Sequence, residues 1–309
     1  MLIIRHRFKL ILAGLASGIL AACSGEPAGS ADILREADLP DGPRVQFEVH
    51  AAPSLAEGSM DLVLVPGLSS PASVWDAVTA ALEGEARIHL AQLAGYAGTA
   101  PVRTRNGVLA DAQADIEAYL ETCCPGGAVV AGHSLGGTIA LAAAHNRPDL
   151  VRRVVVIDAR PNAGGPPNAM LLNRRAAGTR DGVLSASDAA FAAEVRKQAA
   201  DMFATDPADV DRIVQWSLDS HRPTVAQSLY ELTLADQRPL HSAVVAPVTV
   251  LAAWHADRGF TFEESTTYWG GLFSELPNGE VRLVRDARHF IMLDQPEALV
   301  LEIRRLLQR

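Results

Sequence analysis

The sequence predicts an α/β protein with a mostly parallel, doubly wound sheet and a helical cap insertion. Short, almost continuous apolar runs such as Asp61–Val65 are typical of strands that are buried on both faces of a parallel sheet. These runs alternate with segments of helical periodicity, which indicates a sheet with helices on both sides. The alternation stops once, from about residue 159 to 245, where helical segments dominate and no strand is indicated.

The composition limits the class of protein and its partners. Hydrophobic residues make up 49% of the 309 residues and charged residues 20%, as in a globular protein with a sizeable core. The net charge of −9 argues against a nucleic-acid partner, because binding to phosphates needs a basic surface. We expect no cofactor and no obligate protein partner.

The first residues predict a signal peptide over residues 1–22. Residues 1–9 carry only positive charges, and the apolar stretch 10–22 is too short to span a membrane. The sequence Leu20-Ala21-Ala22-Cys23 resembles the bacterial lipobox, and the resemblance implies cleavage before Cys23 and a lipid on its thiol. We therefore expect a lipid-anchored, periplasm-facing protein, on the outer membrane because Ser24 follows Cys23. The alternative is an ordinary signal peptide and a free mature protein.

The remaining chain is divided into a tether, a core and a cap. Residues 23–42 are rich in Gly, Pro, Ala, Asp and Ser, which favours a flexible tether. The core is predicted over residues 43–158 and 246–309, with the cap over 159–245 between them. The predicted strands are 45–49, 61–65, 87–93, 128–131, 154–158, 247–253 and 280–284. The predicted helices are 73–82, 106–122, 138–146, 187–203, 207–217, 223–235 and 296–307.

The motif Gly132-His133-Ser134-Leu135-Gly136 lies between a predicted strand and a predicted helix. In that setting a G-x-S-x-G pattern places the serine on a sharp turn, with its hydroxyl exposed at the end of the sheet. Glycines flank the serine because the turn is crowded, and the N–H groups of the helix N-terminus favour developing negative charge. Ser134 is therefore the predicted nucleophile. The alternative is a glycine-rich turn with an incidental serine.

A nucleophilic serine needs a histidine base, and the base needs an acid that holds its tautomer. In such folds the reacting groups gather at the carboxyl ends of the strands. His289 follows the strand 280–284 and is the predicted base. Asp257, four residues after the strand 247–253, is the predicted acid, and Asp158, which also ends a strand, is the alternative. His133 is excluded as the base because adjacent side chains diverge at the turn.

The backbone N–H groups of Leu68 and Leu135 are predicted to form an oxyanion hole, with Gly67 allowing close approach of the chain. Several large side chains are candidates for substrate contact, although helical aromatic and methionine residues more often pack inward. These candidates are Trp75, Tyr96, Met202, Trp216 and Tyr230. The sequence shows no arginine cluster that would bind a carrier phosphate.

Cys123 and Cys124 are adjacent, so a disulfide between them would close a strained ring. Two free thiols, or thiols paired with another molecule, are at least as consistent with the sequence. Neither fits a catalytic cysteine, because both precede Pro125-Gly126-Gly127 at the end of a helix. No spacing of cysteine and histidine predicts a zinc site, and we expect no metal.

Four motifs together resemble the α/β-hydrolase fold family over residues 45–307. They are Pro66-Gly67-Leu68, the Ser134 motif, Trp254-His255-Ala256-Asp257 and Arg288-His289-Phe290. The chain is most similar to the capped, carboxylesterase-like branch that includes pimeloyl-carrier methyl ester esterases. Pro66 departs from the family, which usually has histidine there and so a side chain that supports the loop.

The resemblance implies a serine hydrolase that cleaves a small or medium carboxylic ester through an acyl-enzyme intermediate. The serine excludes the branches whose nucleophile is aspartate. An amidase, thioesterase, lactonase or cofactor-free perhydrolase with the same three residues is one alternative. A non-catalytic periplasmic binding protein on a hydrolase scaffold is another.

Overall fold

The structure is a computed structural model that describes residues 39–162 and 168–308. Its centre is a seven-stranded sheet with the order β1-β3-β2-β4-β5-β6-β7. The first strand pairs antiparallel with the third, and all other pairs are parallel. The predicted α/β class with a mostly parallel sheet is therefore confirmed. The predicted signal peptide lies outside the described residues.

The seven strands occupy the segments that the apolar runs predict. They are β1 Val45–His50, β2 Asp61–Val65, β3 Arg87–Leu93, β4 Ala128–His133, β5 Val151–Ile157, β6 Val248–Trp254 and β7 Gly279–Arg285. Every residue of β2 and β4 is buried, because both faces of these central strands are covered. The prediction places Asp158 within a strand, but β5 ends one residue earlier and Asp158 lies in the turn that follows.

Ten α-helices surround or extend the sheet in the described residues. They are α1 Asp76–Leu82, α2 Val108–Cys123, α3 Leu135–Asn146, α4 Ala169–Ser185, α5 Asp188–Gln198, α6 Pro207–Asp219, α7 Arg222–Leu234, α8 Phe262–Leu272, α9 Ile291–Asp294 and α10 Pro296–Leu307. None of the described helices combines the length and the apolar character that a membrane crossing requires.

Two long helices are missing from the prediction, and their sequences explain why. Helix α8 has no fully buried residue, and the polar Ser265 interrupts its half-buried face, which weakens the periodic apolar signal. Helix α4 buries only Ala176, Thr179 and Val183 along seventeen residues. Both helices depend on capping side chains at their N-termini, Thr261 for α8 and Asn168 for α4.

The core is split by the sheet into two apolar clusters. Leu62 and Leu64 of β2 pack into one cluster, whereas Val63 and Val65 pack into the other. This alternation follows from the two-residue repeat of a strand, which sends successive side chains to opposite faces. The sheet is therefore packed on both faces, and the loops that carry the site follow the carboxyl ends of its strands.

The end of the predicted tether is part of the folded body. Leu39 is buried, and the carbonyl of Pro40 accepts a hydrogen bond of 2.9 Å from the Arg103 N–H. The guanidinium of Arg103 also donates to the Leu39 carbonyl at 3.1 Å. The prediction of a flexible segment up to residue 42 is therefore wrong for residues 39–42. The rest of the predicted tether lies outside the described residues.

The stretch 159–245, which we call the cap segment, carries α4 to α7 between β5 and β6. A carboxylate on α7 fastens it to the core: Glu231 accepts hydrogen bonds from the N–H groups of Val108 at 3.0 Å and Leu109 at 2.8 Å. These N–H groups belong to the first turn of α2 and have no partner within that helix, so the carboxylate caps it.

Candidate active site

Ser134 lies on a strained turn between β4 and α3. Its φ is 52° and its ψ is −115°, in a region that L-residues rarely adopt. The close packing around the turn explains the surrounding glycines. A Cβ atom on Gly132 would overlap the carbonyl of Gly136, and one on Gly136 would overlap the carbonyl of Val65. Only glycine fits at these two positions, so the chain can turn sharply and expose the serine.

His133 has a structural position beneath the turn. Its side chain is fully buried, and its Nε2 lies 3.0 Å from the carbonyl oxygen of His289, to which it donates. Burial, together with the nearby His289, keeps the pKa of His133 well below that of a free imidazole. His133 is therefore neutral, and its hydrogen bond fixes the backbone of the loop that carries His289.

His289 is held by Asp158. The Nδ1 of His289 lies 2.6 Å from Oδ2 of Asp158, while the other oxygen of the carboxylate accepts the Ala253 N–H at 2.8 Å. Asp158 has a φ of 44°, directly after the end of β5. An acceptor on Nδ1 leaves the proton there and the lone pair on Nε2, which is the tautomer that a general base needs.

The expectation that Asp257 holds His289 is wrong in this structure. Asp257 lies in a short helical turn beyond β6, and its side chain is 44% exposed. Its carboxylate lies 2.6 Å from Nδ1 of His255 and pairs with the guanidinium of Arg288. Burial raises the pKa of Asp257, but the hydrogen bonds from Arg288 and His255 outweigh it and leave this pKa below its ordinary value.

The loop that carries His289 is tied to the cap segment. The N–H of His289 donates to the Met202 carbonyl at 3.1 Å, and the N–H of Phe290 donates to Phe203 at 2.8 Å. Both acceptors belong to the π-helical turn Ala199–Phe203, which continues α5. Arg288 adds a bond of 3.0 Å to the carbonyl of Ala204. The sequence gives no sign of these contacts, since each of them ends on a backbone carbonyl of a distant segment.

Leu68 and Leu135 line the same cavity as Ser134. Among the described residues, no acceptor is bonded to the N–H of Leu68 or of Leu135. Leu135 begins α3, so its N–H is one of the helix donors that have no intrahelical partner. A Cβ on Gly67 would lie 2.7 Å from Nδ1 of His133, so glycine is required for the loop to approach.

These groups open into a cavity of about 280 Å³ between the sheet and the cap segment. Ser134, Asp158 and His289 are among the residues that line it, and much of its wall is apolar. Apolar side chains in the wall include Val183, Phe191, Val195, Phe203, Leu229 and Trp269. Three arginines, Arg160, Arg175 and Arg258, also line the cavity, although they are far apart in the sequence.

Of the five candidates for substrate contact, Met202 lines this cavity. The other four are corrected, because among the described residues they pack elsewhere. Trp75 is fully buried in the core, and the Tyr96 hydroxyl donates to Ser228 at 2.6 Å. Tyr230 lies under the guanidinium of Arg180, and Trp216 packs near Phe290 with ring centroids 6.4 Å apart.

The cysteines lie away from this cavity. Cys123 is exposed and Cys124 is buried, and both are free thiols. Burial raises the pKa of Cys124 to about 12, with a further contribution from the charge of Asp61. A thiol that remains protonated is a poor nucleophile.

Cys124 belongs to a group of described side chains that could hold a metal ion, with Asp61 and His89. The three ligand atoms lie within 4.8 Å of one another. Nε2 of His89 lies 3.0 Å from Oδ1 of Asp61 and 3.8 Å from the sulfur of Cys124. Asp61 begins β2, whereas Ser134 follows the end of the parallel β4. The group therefore lies at the amino end of the parallel strands, whereas the cavity lies at their carboxyl end.

Known proteins resemble this chain in sequence and in structure. A pimeloyl-[acyl-carrier protein] methyl ester esterase of Aromatoleum aromaticum is 39% identical over 101 residues, which are 33% of this chain and 38% of that protein. The chain thus matches about two fifths of the length of this curated relative.

Two solved structures share the fold at low sequence identity. The enol-lactonase of Burkholderia xenovorans LB400 superposes with a TM-score of 0.66 and 16% identity, over 86% of this chain and 96% of that one. A thermophilic esterase of Thermogutta terrifontis superposes with a TM-score of 0.68 and 18% identity, over 85% and 93%. Residues 62–303 match the Alpha/beta hydrolase family. The chain belongs to the alpha/beta hydrolase family.

Proposed function

We propose that this protein is a serine esterase that cleaves small or medium carboxylic esters through an acyl-enzyme intermediate. The observation that carries the proposal is the 2.6 Å contact between His289 and Asp158 in a cavity that Ser134 also lines. The name of the curated relative, a methyl ester esterase, agrees with an ester as substrate.

The first half of the reaction forms the acyl-enzyme. Nε2 of His289 takes the proton of the Ser134 hydroxyl while Oγ attacks the ester carbonyl carbon. The carbonyl oxygen becomes negatively charged and accepts hydrogen bonds from the N–H groups of Leu68 and Leu135. Each such donor typically stabilises the transition state by about 3–4 kcal/mol. The imidazolium then donates its proton to the departing alkoxide, and the C–O bond breaks.

The second half repeats the chemistry with water. His289 takes a proton from water, the hydroxide attacks the acyl carbon, and Ser134 leaves as an alcohol after its proton is returned. Throughout, Asp158 keeps the proton on Nδ1 of His289 and stabilises the positive charge that forms on the ring. The cap segment contributes apolar walls, which favour an acyl chain and exclude water from the reacting atoms.

A serine variant tests the proposal. Ser134→Ala should abolish the hydrolysis of p-nitrophenyl butyrate and the labelling by a fluorophosphonate probe. Ser217 is a matched control, because it lines the same cavity while its hydroxyl is bonded to the Ile213 carbonyl at 2.9 Å. Ser217→Ala should retain the fluorophosphonate labelling. Undiminished turnover in Ser134→Ala rejects the proposal, and absence of labelling in the unmodified protein favours a non-catalytic binding protein.

A substrate panel then separates the reactions that share these three residues. Esters, amides, thioesters and lactones with the same acyl chain would be compared by kcat/KM. The proposal expects the simple ester to have the highest value. A higher value for a lactone or a thioester would reassign the reaction while leaving the roles of Ser134 and His289 in place.

A further inference from the structure

We propose that the cavity selects esters whose acyl part ends in a carboxylate, and that Arg160 and Arg175 bind this group. The proposal rests on the esterase function proposed above. The substrates of this site would then be monoesters of dicarboxylic acids.

Arg160 and Arg175 reach the cavity from two different segments of the chain. Arg160 follows Asp158 by two residues, so it lies close to the catalytic residues. Arg175 comes from α4 in the cap segment, and Thr179 and Val183 extend from it at four-residue intervals along the same helix face. All three side chains of this row line the cavity. Arg175 thus faces the inside, whereas the neighbouring Arg174 is exposed and is not among the lining residues.

Among the described residues, the lining of the cavity carries more positive than negative charge, with three arginines and two carboxylates, Asp158 and Glu194. Asp158 is engaged with His289 and the Ala253 N–H, and Glu194 accepts from the Gln198 amide at 2.7 Å. An excess of positive charge in this cavity contrasts with the net charge of −9 for the whole chain. A cleft of opposite sign to its surroundings concentrates an anionic ligand.

The two guanidinium groups interact with each other. Burial, and then the positive charge of Arg160, lower the pKa of Arg175. Two like charges that share a partly buried site are both stabilised by an anion that binds near them. A guanidinium presents five N–H donors in a planar fork, a geometry that matches the two oxygens of a carboxylate. Arg160 also donates to the Tyr268 hydroxyl at 3.3 Å, which orients it.

The remaining wall of the cavity is largely apolar. Val183, Phe191 and Leu229 line the same cavity as the two arginines. The combination fits a ligand with a reactive ester at the Ser134 end, an aliphatic stretch and a charged terminus. An acyl chain that ends in a carboxylate would contact both the guanidinium groups and the apolar wall, whereas a fully polar ligand would not use the apolar wall.

The test compares esters of matched length. The full chain would be assayed by pH-stat titration with monoethyl glutarate and monoethyl adipate, against ethyl pentanoate and ethyl hexanoate. The unmodified protein should have a kcat/KM about 10-fold or more higher for each monoester than for its neutral partner. Arg175→Gln and Arg160→Gln should reduce this ratio by about 10-fold, and added salt should reduce it in the unmodified protein. Arg174→Gln is the matched control and should leave both rates unchanged.

The outcomes separate this inference from the proposed function. Hydrolysis of the neutral esters with equal or better kcat/KM than the monoesters rejects the carboxylate subsite and leaves the esterase in place. An unchanged ratio in both Arg160→Gln and Arg175→Gln also rejects it. Calorimetry of monoethyl glutarate with the Ser134→Ala variant measures the subsite without turnover. If Arg175→Gln does not weaken this binding when it is added to the Ser134→Ala variant, the proposal is contradicted. This result would count even if the chain hydrolyses no ester.

Discussion

Oδ2 of Asp158 lies 2.6 Å from Nδ1 of His289, although 131 residues separate the two in the sequence. The contact joins the turn after β5 to the loop after β7. Because β5 is adjacent to β4, Asp158 follows the strand next to the one that Ser134 follows. Asp257, the acid that the sequence predicts, instead pairs with Arg288 and His255.

Asp158→Asn should lower kcat for p-nitrophenyl butyrate by about 10⁴-fold, because an amide does not hold the tautomer of His289 that the reaction needs. Asp257→Asn is the comparison. Its exposed ion pairs are each worth about 0–1 kcal/mol, so a loss of less than about 10-fold is expected. Steady-state kinetics of both variants decide the assignment, and a greater loss in Asp257→Asn would reverse it.

Gly136→Ala should destabilise the fold by about 3 kcal/mol, because its Cβ would overlap the carbonyl of Val65 and neither backbone can yield without moving β2 or α3. Gly178, in α4, is the control, since a Cβ there meets nothing within 4 Å. Gly178→Ala should raise the free energy of unfolding by up to about 1 kcal/mol. Urea unfolding measures both, and equal stabilities for the two variants would contradict the role given to Gly136.

The free energy of unfolding should fall as the pH drops below about 6.5. Burial lowers the pKa of His133, His221 and His241 in the folded state. Below the ordinary pKa of histidine the unfolded chain therefore binds more protons, and each group contributes a slope of up to about 1.4 kcal/mol per pH unit. Carboxylates with a lowered pKa, such as Asp257, lose their contribution only below about pH 4.

Urea unfolding between about pH 7.5 and about pH 5.5 measures this slope. His241→Gln should make it shallower, because the buried ring can then no longer take up a proton on unfolding. A slope that is the same in His241→Gln and in the unmodified protein would contradict the assignment.

Cys23→Ser should move the protein from the membrane fraction to the soluble periplasmic fraction of a bacterial host. The lipid on Cys23 is predicted from the sequence 20–23 alone, and that segment lies outside the described residues. Two or more acyl chains provide the apolar burial that makes such an anchor stable. Fractionation followed by immunoblotting measures the distribution, and an unchanged distribution would contradict the lipid anchor.

Local patterns account for the success of several predictions. The strand bounds of β2 and β3 agree with the prediction because continuous or alternating apolar residues mark where each strand begins and ends. The turn at Ser134 is as predicted, since the glycines around it permit only that geometry. By contrast, the aromatic candidates fail at Trp75 and Tyr96, because residue type does not reveal whether a side chain points into the core or the cavity.

The sequence by itself determined the α/β class, the strand–turn–helix that presents Ser134, and the placement of His289 after the last strand. These follow from periodicity and glycine sterics, which act over a few residues. Only the tertiary structure decided that Asp158 meets His289, that the π-helical turn 199–203 supports the His289 loop, and that Arg160 and Arg175 share one cavity. Those pairings depend on which strand ends are neighbours and on how the cap segment packs, and such long-range geometry leaves no periodic trace in the chain.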